Sequence, residues 1–394
     1  MEEIELSIVI PCLNEEKSLP FCLQRAKDFI NNNHISGEVI VADNGSTDGS
    51  KEIARSYEVI LVDAVDKGYG AAVMVGIKNA RGKYIIFADA DDSYHFDEIM
   101  PLLDGLRQGS DLVVGNRFQG GIEKGAMPWL HRYFGTPVQS AIGNIMFGIN
   151  LGDFNCGMRG VTKQCYEDLD MHTTGMEFIS EMIVKGALRK KKITEKPVKL
   201  YRDKRDRPSH LNTFRDGWRN LRFFLLYSPA WLFLYPGLLL MLCGLIISVI
   251  LYRGPVRLGH TRFDIHTLAY TSASIILGFQ LVNVYVFTRL YTAVHGLHPY
   301  QQKFMDRFKR WFHMEKGIIL GIILLLAGIA LNIRAILYWK QRQFGDLDPI
   351  IVLRWVIPSV TLVLLGAQLM ISCFFLGILN IRNKSTADEY TRNQ

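Results

Sequence analysis

Hydrophobic and polar positions follow two rhythms along the chain. In the N-terminal half, short apolar, β-branched runs occupy 4–11, 38–43, 59–62, 84–89 and 111–115. Helical periodicity fills the gaps at about 17–31, 47–57, 71–80 and 96–108. Strand and helix in regular alternation predict an α/β domain, a mostly parallel sheet covered on both faces. Such sheets bind ligands beyond the carboxyl ends of their strands.

After residue 228 the rhythm becomes continuous apolarity. Runs at 229–252, 265–288, 317–337 and 355–381 hold almost no charge. Each is long enough to cross about 30 Å of hydrocarbon as a helix. The expected organisation is a water-soluble domain over 1–208, a juxtamembrane amphipathic helix over 209–228, a four-helix transmembrane domain over 229–381 and a tail over 382–394. Lys and Arg number 16 in the flanks on one side of the expected membrane and 7 on the other. The richer side faces the cytosol. This places the soluble domain and both termini there, in a protein integral to an inner or plasma membrane. The first and third spans share a Gly-centred pattern, Cys243-Gly244-Leu245-Ile246 and Ala327-Gly328-Ile329-Ala330. The second and fourth share Leu-Gly-x-Gln-Leu at 277–281 and 365–369, which reads as a duplicated hairpin. In the helix before the first span, Leu211, Phe214, Trp218, Leu221, Phe224 and Leu225 form an apolar stripe opposite Arg215, Arg219 and Arg222. A basic amphipathic helix there is expected to lie among the lipid headgroups.

Composition agrees with a two-part chain. The 394 residues are 49% hydrophobic and 21% charged, with mean hydropathy +0.11. This excludes intrinsic disorder and collagen-like or disulfide scaffolds. The net charge of +7 is concentrated locally, because 189–222 holds 13 Lys/Arg against 4 Asp/Glu. One anionic surface beside that segment is expected, and no nucleic acid. The six cysteines form no C-x-x-C pair, so neither a zinc site nor a disulfide framework is expected. Glu2, Glu3 and Glu5 make the start of the chain unlike a signal peptide.

The chemistry-bearing residues follow the strands. The first expected strand leads into Pro11-Cys12-Leu13-Asn14-Glu15, the second into Asp43-Asn44-Gly45-Ser46-Thr47-Asp48-Gly49, and the third into Lys67-Gly68-Tyr69-Gly70. The fourth ends in Asp89-Ala90-Asp91 and the fifth runs to Arg117. At i and i+2 on an extended segment, Asp89 and Asp91 would face the same way. Paired hard-oxygen ligands suit Mg²⁺ or Mn²⁺, whose natural further ligand is a diphosphate.

As a set, in this order and spacing, these motifs resemble the GT-A glycosyltransferases of family two. With the membrane tail, the chain is similar to the dolichol-phosphate mannose synthases and bacterial polyprenyl-phosphate glucosyltransferases. The resemblance implies that Pro11, Asn14, Glu15, Asp43, Gly45, Ser46, Asp48, Lys67 and Gly68 hold the nucleotide. It implies that Asp89 and Asp91 hold the metal and donor diphosphate. Arg117, Arg132, Arg202, Arg205 and His210 would receive the acceptor phosphate, and Asp153 would close the acceptor side. The partners are then a nucleotide-diphosphate sugar, polyprenyl, dolichyl or undecaprenyl phosphate and membrane lipids, with a homo-oligomer left open. The chain departs from the pattern at Arg207 and His210, where the family has Gly and Lys, and at Ser93, where the mannose synthases have Gln.

A lipid monophosphate is largely dianionic at neutral pH and needs no strong base to act as a nucleophile. In-line attack at the anomeric carbon would invert configuration. The expected activity is transfer of a hexose, glucose from UDP-glucose foremost, to polyprenyl phosphate at the cytosolic face. The alternatives are a GDP-mannose-dependent enzyme, a processive polysaccharide synthase, or a lipid-sugar transporter or scaffold. Processive synthases carry Q-x-x-R-W, for which 307–311 offers only Arg-Phe-Lys-Arg-Trp.

Overall fold

The computed structural model describes residues 4–204, 213–294 and 314–392. Arg205, Arg207, His210, Leu211 and the 307–311 segment lie outside them. The chain forms two compact units, divided after Tyr227.

The first unit is built on a seven-stranded sheet in the order β3-β2-β1-β4-β6-β5-β7. The strands are β1 (Leu6–Cys12), β2 (Gly37–Asp43), β3 (Ile60–Asp63), β4 (Tyr84–Phe87), β5 (Leu112–Asn116), β6 (Arg159–Thr162) and β7 (Ile193–Pro197). All pairings are parallel except those of β6. Every residue of β1 is buried, because helices cover both faces of a central strand. The first five strands coincide with the expected runs to within two residues. β6 and β7 were not expected: β6 opens with an arginine and a glycine, and β7 (Ile-Thr-Glu-Lys-Pro) is a polar, half-buried edge strand.

β1 pairs with β2 along its whole length, but β4 leaves it after Val9. Pro11 therefore sits where β1 is paired on one side only, a position a sheet tolerates for proline. β4 ends beside Val9, so β1 runs three residues past it toward the carboxyl ends of the strands. The covering helices are α1 (Leu19–Asn32), α2 (Ser50–Ser56), α3 (Tyr69–Asn79), α4 (Met100–Arg107), α5 (Arg117–Gly120), α6 (Thr136–Phe147), α7 (Lys163–Leu169), α8 (Phe178–Leu188) and α9 (Thr213–Tyr227).

α9 corrects one expectation. Phe224, one residue of the apolar stripe, is fully buried and packs edge-on against Phe147 and Phe154, at 5.7 and 5.6 Å. Arg219 pairs with Glu177 at 2.8 Å instead of standing open for headgroups. Trp218 and Leu226 stay exposed, at 61% and 64%. The apolar stripe is thus shared between the domain's own core and the surface.

Among the described residues the second unit holds four helices long and apolar enough to cross a membrane: Ala230–Arg253, Ile265–Thr292, Met314–Gln341 and Pro349–Leu379. The first two pack as one hairpin and the last two as another, with glycines at corresponding contacts. A Cβ on Gly278 would meet the Gly237 carbonyl oxygen at 2.5 Å, and one on Gly366 would meet that of Gly321 at 2.6 Å. A Cβ on Gly244 would meet the Thr271 carbonyl, and one on Gly328 that of Ser359, both at 2.8 Å. The duplication read in the sequence is therefore a duplication of packing. Small residues let the helix backbones approach. Gly278→Leu and Gly366→Leu should each destabilise the chain by about 1–3 kcal/mol through overpacking. Thermal unfolding of the full chain in detergent checks this; a loss at one site and none at the other would show that the hairpins are not equivalent.

Candidate active site

Parallel strands deliver their following loops to one rim. Because β6 runs the other way, the segment before it, 152–158, also arrives there. The motif residues of the first five strands and Asp153 are gathered by topology alone.

The first two loops are laced together. The Asn14 amide donates to Ser46 Oγ at 2.9 Å, and Asn14 Oδ1 accepts from the Thr47 amide at 2.8 Å. Asn14 takes a left-handed φ of 57°, which Asn tolerates better than most residues. The Glu15 amide donates to Ser50 Oγ at 2.9 Å, while its carboxylate accepts from Ser18 Oγ at 2.8 Å. Asp48 caps the turn into α2, accepting from the Ser50 amide and hydroxyl at 3.1 and 2.6 Å and from the Glu16 amide at 3.1 Å. Buried Asp43 accepts from the amides of Gly45 and Ser46 at 2.9 and 3.0 Å and pairs with Lys51 at 3.2 Å. Burial alone would raise its pKa; the Ser46, Gly45 and Lys51 donors outweigh it and hold the carboxyl below the usual range.

Asn44 joins the third loop to this pair. It donates to the Asp66 carbonyl at 2.7 Å and accepts from the Gly68 amide at 2.8 Å, while Lys67 Nζ donates to the Asn44 carbonyl at 3.0 Å. Gly68 has φ 129°, and a Cβ there would run into the Thr174 carbonyl. Beside this segment lies a cleft of ≈ 610 Å³, lined in part by Lys67, Tyr69, His172, Thr174, Glu177 and Arg219.

The acidic turn differs from the extended geometry expected. β4 ends at Phe87, and Asp91 lies in a turn followed by Asp92 at φ 58°. Period-two reasoning therefore does not apply to Asp89 and Asp91. Asp91 Oδ1 accepts from the Ser93 amide at 3.0 Å and from its hydroxyl at 2.5 Å. The Tyr69 hydroxyl is buried although the ring is partly exposed; burial first, and then the Asp89 charge, keep it from ionising in the ordinary range. The next carboxylate, Asp92, is buried and pairs with Lys204 at 2.7 Å and Arg25 at 3.2 Å. The Lys204 amide also donates to the Asp91 carbonyl at 3.2 Å, so 201–204 is strapped onto the turn. Among the described residues no three His, Cys, Asp or Glu side chains gather as a metal cage. Two carboxylates nevertheless fit Mg²⁺ or Mn²⁺ in chemistry, since such ions keep waters and substrate phosphate oxygens as their other ligands.

Asn116 Oδ1 accepts from the amides of Phe118 and Gln119, at 3.0 and 3.1 Å, and so caps α5. Arg117, its first residue, is turned inward. Its Nε and Nη2 donate to the two oxygens of fully buried Asp153 at 2.6 and 2.7 Å. Burial would lower the Arg117 pKa, but Tyr94 and Asp153 more than compensate and raise it well above the ordinary value. The fork expected to receive a phosphate is thus taken by Asp153. Behind the pair, Arg159 is fully buried on three backbone carbonyls, Cys156 at 3.0 Å, Phe154 at 2.7 Å and Ile179. Burial pushes its pKa down to about 10.

Arg132 lies in the turn His131–Gly135, its guanidinium 5.5 Å from the Tyr133 ring centre. Around it Trp129, Tyr133 and Phe134 are exposed, at 71%, 62% and 61%. Arg202 is exposed, and its amide donates to Glu123 at 2.9 Å. Among the described residues, no hydrogen bond or ion pair joins either to the Arg117–Asp153 pair.

Sequence reasoning passed over Asn44, Asp92, Arg159 and Glu181. Asn44 sat inside a motif already singled out, and Asp92 directly follows one. Glu181 carried a signal, a lone carboxylate among apolar neighbours in α8. Nothing in the sequence distinguishes Arg159 from a surface arginine.

Residues 7–170 match the family model described as glycosyl transferase family 2, and residues 286–380 match the glycosyltransferase family 2 C-terminal transmembrane region. The chain is 35% identical over 380 residues to the low-salt glycan biosynthesis hexosyltransferase Agl6 of Haloferax volcanii, across 95% of this chain and 89% of that one. It is 28% identical over 195 residues to the dolichyl-phosphate hexose transferase of the same organism, across 49% of this chain and 82% of that one. Among solved structures, glucosyl-3-phosphoglycerate synthase from Mycobacterium tuberculosis in complex with Mn²⁺, UDP and phosphoglyceric acid aligns with a TM-score of 0.46 at 18% identity, covering 57% of this chain and 78% of that one.

Proposed function

The chain belongs to glycosyl transferase family 2, with a GT-A fold followed by four candidate membrane spans, and from that premise we propose a donor, an acceptor and a role for each site residue. It is an integral membrane glycosyltransferase of the polyprenyl-phosphate sugar transferase group. In the proposed reaction a hexose, glucose foremost, passes from a UDP-linked donor to polyprenyl phosphate at the cytosolic face, with inversion at the anomeric carbon. Both termini then face the cytosol.

One observation carries the reading: the Asn14–Asp43–Asn44 lacing, after β1 and β2, and the Asp89–Asp91 turn, after β4, stand at the same ends of neighbouring parallel strands. The laced loops present the nucleoside face, with Pro11, Glu15, Ser46 and Asp48 fixing its shape. The acidic turn lies where a diphosphate would lie. A divalent cation held by Asp89 and Asp91 would supply positive charge to the departing nucleoside diphosphate. The acceptor dianion attacks without a strong base, so the protein's task is positioning. Arg117, paired with Asp153, orders the acceptor side of that rim. Arg132, among exposed aromatics, suits the phosphate of a chain held in lipid.

The test is a radiolabelled assay of the full chain in bilayer nanodiscs, with polyprenyl phosphate, Mn²⁺ and a panel including UDP-glucose and GDP-mannose. A lipid-linked monosaccharide formed from UDP-glucose is expected. Label from GDP-mannose alone would overturn the donor, a polymer would mark a processive synthase, and no lipid product would overturn the reading.

A further inference from the structure

Glu181 lies one helical turn into α8 and its side chain is fully buried. A buried carboxylate is stable only when its oxygens are satisfied. Its donors come from several directions. The His172 amide donates at 3.2 Å, the Thr173 amide at 2.9 Å and Thr173 Oγ1 at 2.6 Å. Lys185, one turn on, pairs with it at 2.7 Å and reaches back to the Asp170 carbonyl. The hydroxyl of Tyr227, the last residue of α9, is also hydrogen-bonded to it. A single carboxylate therefore organises the 170–173 loop and ties it to the end of the helix that leads toward the spans.

That loop continues directly onto the third motif. The Thr174 carbonyl accepts from the Ala71 amide at 3.1 Å. The loop and the Lys67–Gly70 backbone are so close that side chains at Gly68 or Gly70 would not fit. A Cβ on Gly68 would collide with the Thr174 carbonyl, and one on Gly70 would collide with the Thr173 carbonyl and lie 2.9 Å from that of Gly175. Two further contacts bind the same region to α9: Arg219 to Glu177 at 2.8 Å, and Ser180 Oγ to Asn220 at 3.5 Å. The chain of contacts runs from α9 through Glu181 and the 172–174 loop to Lys67 and Gly68.

We infer that Glu181 is a positioning residue for the donor site, holding the 172–174 loop against Lys67–Gly70 and coupling that segment to α9. The inference rests on the proposed role of Lys67 and Gly68 at the donor nucleotide. Glu181 touches no reacting atom; it acts through the Thr174–Ala71 contact. Loosening it should leave the acidic turn and the Asn14–Thr47 lacing in place, so the loss should fall on donor affinity. α9 lies on the same chain of contacts, so a change at Tyr227 should be felt at Lys67.

The test uses the full chain in nanodiscs and three variants, Glu181→Gln, Thr173→Val and Tyr227→Phe. Thr173→Val and Tyr227→Phe each remove one hydroxyl and add no charge, which guards against a Glu181→Gln variant that fails to fold. Hydrogen exchange over 66–75 and 170–177 is measured alongside kinetics with UDP-glucose and polyprenyl phosphate. Glu181→Gln should raise the donor KM by about tenfold, within the range usual for coupled sites, with kcat and the acceptor KM nearly unchanged. Exchange should rise in both segments, while 43–50 keeps its wild-type protection. Thr173→Val and Tyr227→Phe should move the same quantities in the same direction by less. Wild-type exchange at 66–75 in folded variants would overturn the inference, as would donor and acceptor KM rising together. If wild type takes no nucleotide sugar while exchange still rises in the variants, the donor-site reading fails and the clamp alone survives.

Discussion

Asp91→Asn should reduce turnover by at least about a thousandfold while leaving the protein folded. The two halves of that expectation come from the two things Asp91 does. Its Oδ1 accepts from the Ser93 amide and hydroxyl, at 3.0 and 2.5 Å, which shapes the turn. Asparagine keeps an Oδ1 in that place, so the turn and the strap at 201–204 should survive. The substitution removes the negative charge on a group only 6% exposed to solvent. A divalent cation loses charge compensation there, and the departing diphosphate loses the cation. Asp89→Asn should act chiefly on donor affinity. Initial rates with Mn²⁺, and binding of UDP with Mn²⁺ by calorimetry, separate the two. Wild-type activity persisting in excess EDTA, or an Asp91→Asn enzyme within about tenfold of wild type, would remove the metal from the mechanism.

Arg117→Ala should be costly in a different currency. Asp153 is fully buried and holds Nε and Nη2 of Arg117 at 2.6 and 2.7 Å. Removing the arginine strands a buried carboxylate, which typically costs about 3–5 kcal/mol. For a domain of this size that is a fall in Tm on the order of 10 °C. Lost activity in this variant would therefore not reveal which ligand Arg117 serves. A double variant, Arg117→Met with Asp153→Leu, removes both charges and should recover much of the stability. Recovery should be incomplete, because Asp153 Oδ1 also accepts from the Asn155 amide at 3.2 Å. If the double variant regains its Tm and binds UDP with Mn²⁺ but does not use polyprenyl phosphate, Arg117 serves the acceptor. An unchanged Tm in Arg117→Ala would show that the ion pair does not stabilise the domain.

How much of this was legible in the sequence depended on the kind of residue. β1 to β5 were readable because strands buried on both faces are continuous apolar runs, as in Leu-Ser-Ile-Val-Ile-Pro-Cys. β6 and β7 were not, because pairing defines them more than composition does. The loop residues at the rim were found by type and order. Their partnerships were not, since Asn14 with Thr47 or Asn44 with Gly68 exist only after strands distant in sequence come side by side. Burial inverted two expectations. Arg117 looked like an open fork and is one half of a buried pair. Phe224 reads as part of an amphipathic stripe and belongs to the domain's core. In both cases the sequence shows which residues share a helix, and only packing decides what that helix leans on.

The paired hairpins of the second unit carry a history in their seam. The second and fourth spans meet through the buried hydroxyls of Ser272 and Thr361. When Gly278 is aligned with Gly366 and Thr271 with Ser359, Ser272 corresponds to the residue just before Thr361. A contact between neighbouring positions of equivalent helices is what lies beside a twofold axis. Two identical hairpins could meet in the same way, each presenting one surface to its own copy. An ancestor with half the spans would then have needed a twin to cover that surface. Fusing two such copies would make the association intramolecular, independent of concentration. It would also release each half to diverge, so that a polar residue needed once need no longer be present twice.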